Sequence, residues 1–166
     1  NPRFADAHNN LGVLYKEKGL LHEARKEYIE ALKDTSLPYY LKIIHRNLGT
    51  LYGEMGWVDS AIQSYHDVLK LDPKDENSHY NLAVLYAQKG LIDKAVNSFL
   101  EVIHITPDDS EAHYRLGLIY FQKSLLDKAM IKFQEALRIK PDYREAEQEL
   151  KKVLSILGTD LKSVSR

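Results

Sequence analysis

A spacing of 34 residues recurs through this chain, and it constrains the fold more than any other feature. The segment 79–107 places His79, Leu82-Ala83, Tyr86, Gly90, Ala95, Phe99 and Pro107 at fixed offsets. The same offsets 34 residues later read His113, Leu116-Gly117, Tyr120, Ser124, Ala129, Phe133 and Pro141. Moved 34 residues back, they read His45, Leu48-Gly49, Tyr52, Gly56, Ala61, Tyr65 and Pro73. A fourth copy lies 37 residues before that: His8, Leu11-Gly12, Tyr15, Gly19, Ala24 and Tyr28, with Ser36 where the proline falls. A period of this length means a stacked array, because one such unit cannot bury its own apolar face.

The offsets also say what each unit is. Leu82, Ala83 and Tyr86 share one stripe of a first helix, and Ala95 and Phe99 share one stripe of a second. Small residues at positions 83 and 95 let the two backbones approach. Gly90 ends the first helix and Pro107 stops the second. Helices are predicted near 5–18, 22–34, 38–55, 58–71, 75–89, 92–105, 109–123 and 126–139. After Pro141, the run 144–157 keeps Ala146, Leu150, Val153 and Leu157 on one stripe within charged surroundings, as a capping helix requires.

On these residues the chain resembles the tetratricopeptide repeat family, whose pattern is W-x-x-L-G-x-x-Y, then A-x-x-x-F, then P. The resemblance covers about 5–143. It departs at the tryptophan position, which is histidine in all four units, and at Ala83, Ser124 and Ser36. The resemblance implies an all-α, right-handed superhelical solenoid of four helix-turn-helix repeats plus a C-terminal capping helix. Repeats are expected at about 5–38, 42–75, 76–109 and 110–143, with the cap at 144–157. Residues 1–157 are expected to form one solenoid domain and 158–166 a flexible tail.

Composition narrows the function. The chain has 166 residues, 44% of them apolar, and a formal net charge of -1. A sizeable core is affordable, while no global basic field is present to draw in nucleic acid. No apolar run approaches membrane-spanning length, no signal-peptide pattern opens the chain, and cysteine is absent. The opening Asn1-Pro2 resembles the end of a preceding repeat, so an excerpt of a longer array is expected, with an uncapped N-terminal edge prone to self-association. The compartment stays open: cytoplasmic by default, periplasmic on the lipoprotein reading below.

The first and second units join irregularly. Asp34-Thr35-Ser36-Leu37-Pro38 is a helix stop followed by a first-turn proline. Tyr39-Tyr40-Leu41 then lengthens the next helix by about one turn. Packing on the preceding helix is the expected role of these rings, with a displayed knob for a partner as the alternative.

No catalytic constellation is found. His22-Glu23 starts like a zinc-protease motif, but the second histidine position holds Lys26. The glycines are single turn markers, with no phosphate loop. The histidines His8, His45, His79 and His113 are a full repeat apart. Helix axes about 10 Å apart do not bring them within the ~2 Å bonds a metal needs. Neither metal nor cofactor is expected.

What the core leaves over is the second stripe of each first helix, which in the resembled family lines the concave groove. It carries a polar row, Asn10, Asn47, Asn81 and then Arg115, beside an aromatic floor of Tyr80, Tyr114 and Phe121 with Val84 and Leu118. An amide both donates to and accepts from a backbone unit, which suits an extended peptide. The row is similar to that of O-GlcNAc transferase. A carboxylate clamp similar to that of chaperone-binding repeats would use Arg46, Asn81 and Arg115, but Thr50 and Glu111 oppose it. The expected role is a non-catalytic scaffold holding a peptide or protein segment, with no nucleic acid and no direct membrane insertion. The alternatives are the substrate-recognition segment of a larger enzyme such as a glycosyltransferase, or a pilus assembly lipoprotein. The latter rests on a resemblance of 34–49 to pilotin-type lipoproteins.

Overall fold

The fold follows the two helical stripes of each repeat. In a computed structural model that describes residues 2–158, nine α-helices and no strand occur among the described residues. They are α1 (Pro2–Glu17), α2 (Leu21–Lys33), α3 (Pro38–Glu54), α4 (Val58–Leu71), α5 (Glu76–Gln88), α6 (Ile92–Ile105), α7 (Ser110–Gln122), α8 (Leu126–Ile139) and α9 (Arg144–Leu157). The helix-turn-helix array and C-terminal helix expected from the sequence are present, each end within a few residues of its expected place. The tail expected at 158–166 lies, beyond Gly158, outside the described residues. Packing divides the chain into two compact units that meet within α5, one up to Leu85 and one from Tyr86.

In the first unit α1 packs along α2, α3 along α4, and α2 and α1 both against α3. Its core joins Ala24, Tyr28 and Ala31 of α2 to Ile44, Leu48 and Leu51 of α3. The small frame residue of each first helix makes room for an aromatic ring of the second. A Cβ at Gly12 would lie 2.6 Å from the Tyr28 ring, and one at Gly49 would lie 2.9 Å from Tyr65. Those distances are shorter than packed interiors tolerate, so glycine sets how closely the two helices approach.

The inserted turn divides between its two expected roles. Tyr40 packs against the α2–α3 cluster, whereas Tyr39 is 67% exposed. The two rings meet edge to face with centroids 5.4 Å apart. Pro38 opens α3 in the first turn, where no backbone donor is needed. Thr35 Oγ1 accepts from the Leu37 N–H at 3.1 Å.

The second unit is built around α8, which packs on α7 and on α9. Ala129 and Phe133 of α8 meet Leu150, Val153 and Leu154 of α9. Ala136 meets Tyr143 and Ala146. A Cβ at Gly117 would fall 2.6 Å from the Phe133 ring. The C-terminal helix therefore covers the last repeat, as its single apolar stripe predicts. The turns within units carry left-handed residues: Gly19, Gly56 and Gly90 at φ 72–74°, and in the fourth unit Ser124 at φ 58°.

Candidate peptide-binding face

The histidines at the tryptophan position orient the start of two first helices. His79 Nε2 lies 2.9 Å from the Pro73 carbonyl and His113 Nε2 lies 3.0 Å from the Pro107 carbonyl. A carbonyl only accepts, so Nε2 carries the proton in both. Beside these bonds, Asp75 accepts from the Ser78 N–H at 2.9 Å and Asp109 from the Ala112 N–H at 3.0 Å, capping α5 and α7. In the first unit the equivalent residue pairs differently: His8 Nδ1 stands 2.6 Å from Glu27. These contacts give the register histidines structural roles.

Within the first unit, the second stripe of α1 and α3 is polar and cross-linked. Asn47 Nδ2 donates to Asn9 Oδ1 at 2.8 Å, and Lys16 pairs with Glu54 at 3.0 Å. Arg46 pairs with the buried Asp75 carboxylate at 2.5 Å, so the guanidinium braces the cap of α5. Asn10 is exposed on α1, and Tyr80 is half-buried on α5. Asn81 donates from Nδ2 to its own helix, at the Asn77 carbonyl, over 2.7 Å. Of the amide row, Asn47 and Asn81 are thus held by one bond each, a fraction of what a primary amide can make.

Within the second unit, Arg115 Nε pairs with Glu111 at 2.6 Å along α7. The same Glu111 carboxylate accepts from the Tyr143 hydroxyl. Burial, and then that bond to a carboxylate, push the Tyr143 phenol well above its ordinary pKa. The aromatic floor is less open than the sequence suggests. Tyr114 and Phe121 pack against the α8–α9 cluster, and the Tyr114 ring lies 5.0 Å from Tyr143 and 6.0 Å from Phe133. Helix α9, which has no counterpart in the repeat pattern, brings Tyr143 over this face and covers part of it. Both rings remain half-buried.

Two consequences follow for ligand chemistry. Arg46 and Arg115, two basic members of the carboxylate-clamp pattern, are each neutralised by a carboxylate of their own unit. Among the described residues, no group of three or more His, Asp or Glu side chains could hold a metal ion. No described helix is long and apolar enough to cross a membrane.

Sequence reasoning missed two features. One is the histidine-to-proline-carbonyl bond, although its signal was present as a six-residue spacing at Pro73–His79 and at Pro107–His113. The other is the surrounding of Trp57, which stacks on Tyr52 with centroids 5.7 Å apart and carries the Arg25 guanidinium 5.4 Å from its ring centre.

Helix-turn-helix units with a small-residue contact between their helices, closed by an amphipathic helix, define an α-helical repeat protein. The chain belongs to the tetratricopeptide repeat family. Family models described as TPR repeat match residues 49–90 and 85–124, and models described as tetratricopeptide repeat match 5–33 and 110–143. No curated protein matches it in sequence. Among solved structures, the MamA protein is similar at 23% identity and TM-score 0.82, over 97% of this chain and 86% of that one. A tetratricopeptide repeat protein from Parabacteroides merdae is similar at 24% identity and TM-score 0.88, over 94% of this chain and 61% of that one. The first TPR of Spaghetti, solved with an HSP90 peptide, is similar at 23% identity and TM-score 0.66, over 71% of this chain and 94% of that one. The resemblance of 34–49 to pilotin-type lipoproteins gains no support: the matches are to tetratricopeptide repeats, and the packing of Tyr40 accounts for part of the inserted turn.

Proposed function

We propose that this chain is a non-catalytic interaction module that holds an extended peptide or protein segment against the second stripe of its first helices. The observation that carries this is the amide geometry of the first unit. Asn47 and Asn81 are half-buried and each is fixed by a single hydrogen bond, so they are oriented yet keep capacity for a backbone unit. Fixing a side chain in advance lowers the ordering cost of binding. Arg46 and Asn10 complete the polar contribution of the first unit, and Tyr80 adds a ring. In the second unit Tyr114, Arg115 and Phe121 offer a mixed face of their own.

The ion pairs decide the ligand class. With Arg46 bound to Asp75 and Arg115 bound to Glu111, neither guanidinium adds net positive charge to its face. A segment without strong acidity fits better than a terminal carboxylate. Family membership agrees with this reading, since a peptide-bound tetratricopeptide repeat is among the similar structures. The test is a screen of uncharged and acidic peptides followed by titration of the hits. Uncharged hits that weaken with Asn81→Ala and are unaffected by Lys152→Ala support the proposal. Hits that are all acidic, or that bind Asn81→Ala unchanged, overturn it.

A further inference from the structure

Three of the four units carry leucine just after the turn, at Leu20, Leu91 and Leu125, and each is about 40% exposed. The second unit carries Trp57 there, the only tryptophan of the chain, equally exposed at 40%. Its faces are engaged by Tyr52 and Arg25, and the His22 ring approaches edge-on with centroids 6.3 Å apart. The indole is thereby held rigid with an edge in solvent, the state of an anchor prepared before binding.

Trp57 stands beside a cleft of about 450 Å³ whose apolar wall is Leu20, Leu21 and Met55 and whose lining includes the Glu23 carboxylate. Tyr52, stacked on Trp57, lines a neighbouring cleft of about 470 Å³ between α2 and α4. Ile29, Leu32 and Leu48 give that second cleft its apolar lining, and Asp59 and Asp67 its acidic one. Neither cleft has a lysine or arginine among its lining residues. His45, in the second cleft, is held below its ordinary pKa by burial, so at neutral pH it adds no positive charge. The seam belongs to the second helices and lies apart from the amide row of the first.

We propose that the Trp57 seam is a second docking site, for a segment of a partner protein that carries an apolar or aromatic side chain next to lysine or arginine. The apolar side chain enters between Met55, Leu21 and the indole edge. The basic side chain faces Glu23, and the following residues run along α4 toward Asp67. From Trp57 to Asp67 the helix rises about 15 Å, a length that about five extended residues span. Acidic lining with apolar walls selects such a segment over an acidic peptide or a nucleic acid, whose like charge it repels. The site is independent of the groove reading above.

The experiment uses the whole chain and two labelled synthetic peptides, acetyl-Gly-Leu-Phe-Lys-Arg-Gly-amide and the same peptide with glutamate at both basic positions. Binding is read by anisotropy of the label and, because the chain has one tryptophan, by its intrinsic emission. The basic peptide is expected to bind saturably and to shift the emission, with affinity falling as salt rises. Trp57→Leu restores the residue the other units carry, so the fold is retained. It should weaken binding at least about tenfold, as loss of an interface anchor does. Glu23→Gln should weaken the basic peptide about threefold or more and leave folding untouched. Asn81→Ala should change nothing here, whereas it should weaken the groove ligand, so failure of either site is seen separately. Equal binding of the two peptides, no binding of the basic one, or unchanged affinity in both Trp57→Leu and Glu23→Gln overturns the proposal.

Discussion

The imidazole of His113 donates from Nε2 to the carbonyl oxygen of Pro107, 3.0 Å away, while its Nδ1 is buried without a partner. Protonation would place a second N–H on that buried nitrogen with nothing to accept it. Burial accordingly holds the His113 pKa below its ordinary value of 6.5, and it does the same for His45. A histidine depressed in the folded state binds fewer protons there than in the unfolded chain, so stability falls as pH drops. The loss should begin near pH 6.5, where the unfolded imidazole starts to charge, and should end below the folded pKa. Urea unfolding at pH 7.5, 6.5 and 5.5 should show this decline, and His113→Gln should reduce it. A flat profile in the wild-type chain would contradict the buried neutral state.

Ser124 sits at φ 58° where the three other units place glycine at 72–74°. A side chain in the left-handed region costs about 1 kcal/mol or more, against which glycine adds chain entropy on unfolding. Ser124→Gly should therefore stabilise the chain by up to about 1 kcal/mol. Denaturant midpoints of the two proteins, at equal m-value, test it.

Glycines on first helices divide by what faces them. At Gly117 an added methyl would meet the fully buried Phe133 ring at 2.6 Å, whereas at Gly53 it meets nothing within 4 Å. Gly53→Ala should stabilise α3 by about 0.5–1 kcal/mol through helix propensity alone. Gly117→Ala gains the same propensity but forces the ring aside, and should cost about 1–3 kcal/mol overall. Opposite signs in thermal unfolding are the expected outcome. A stabilised Gly117→Ala would mean that the α7–α8 contact is looser than the packing implies.

How far the sequence alone reaches is seen by comparing particular residues. The helices, the Pro38 start and the covering role of α9 were legible because each depends on residues close in sequence or on a repeated offset. The partner of Asn47 was not, because Asn9 lies 38 positions away and neither residue shows by type whether its amide turns inward. Arg46 had the same ambiguity: a basic residue on a groove stripe reads as a ligand contact until Asp75 is found against it. The half-burial of Tyr114 depended on Tyr143, which follows the last repeat and has no place in the periodic pattern. Periodicity reveals what units share, and much of this candidate site comes from what single units do differently.

Helix α9 covers Phe133, Ala129 and Ala136 with Leu150, Val153, Leu154 and Ala146. Ending the chain before Arg144 would leave that apolar surface to water, and such patches drive association. The truncated protein should unfold at lower denaturant and scatter light at concentrations where the whole chain does not. A clean monomer of unchanged stability would show that α9 is not the cap its packing indicates.

The last expectation concerns the amide row, where structural and binding roles can be separated. Asn81 bonds only to its own helix in the contacts described above, at the Asn77 carbonyl, and is half-buried. Its loss should leave folding within about 0.5 kcal/mol, as for surface substitutions away from special features. A bound peptide, by contrast, would lose a partner for its backbone, costing about 1–3 kcal/mol of binding. Asn47→Ala should differ, because it also releases Asn9, a residue only 8% exposed, and so should lower stability as well as affinity. Phe121→Ala and Tyr114→Ala should resemble Asn47→Ala, since both rings pack on the α8–α9 cluster. Measuring unfolding and peptide titration on the same four variants resolves the matter. Affinity lost in Asn81→Ala with folding intact supports the groove, whereas affinity that merely follows stability through all four variants contradicts it.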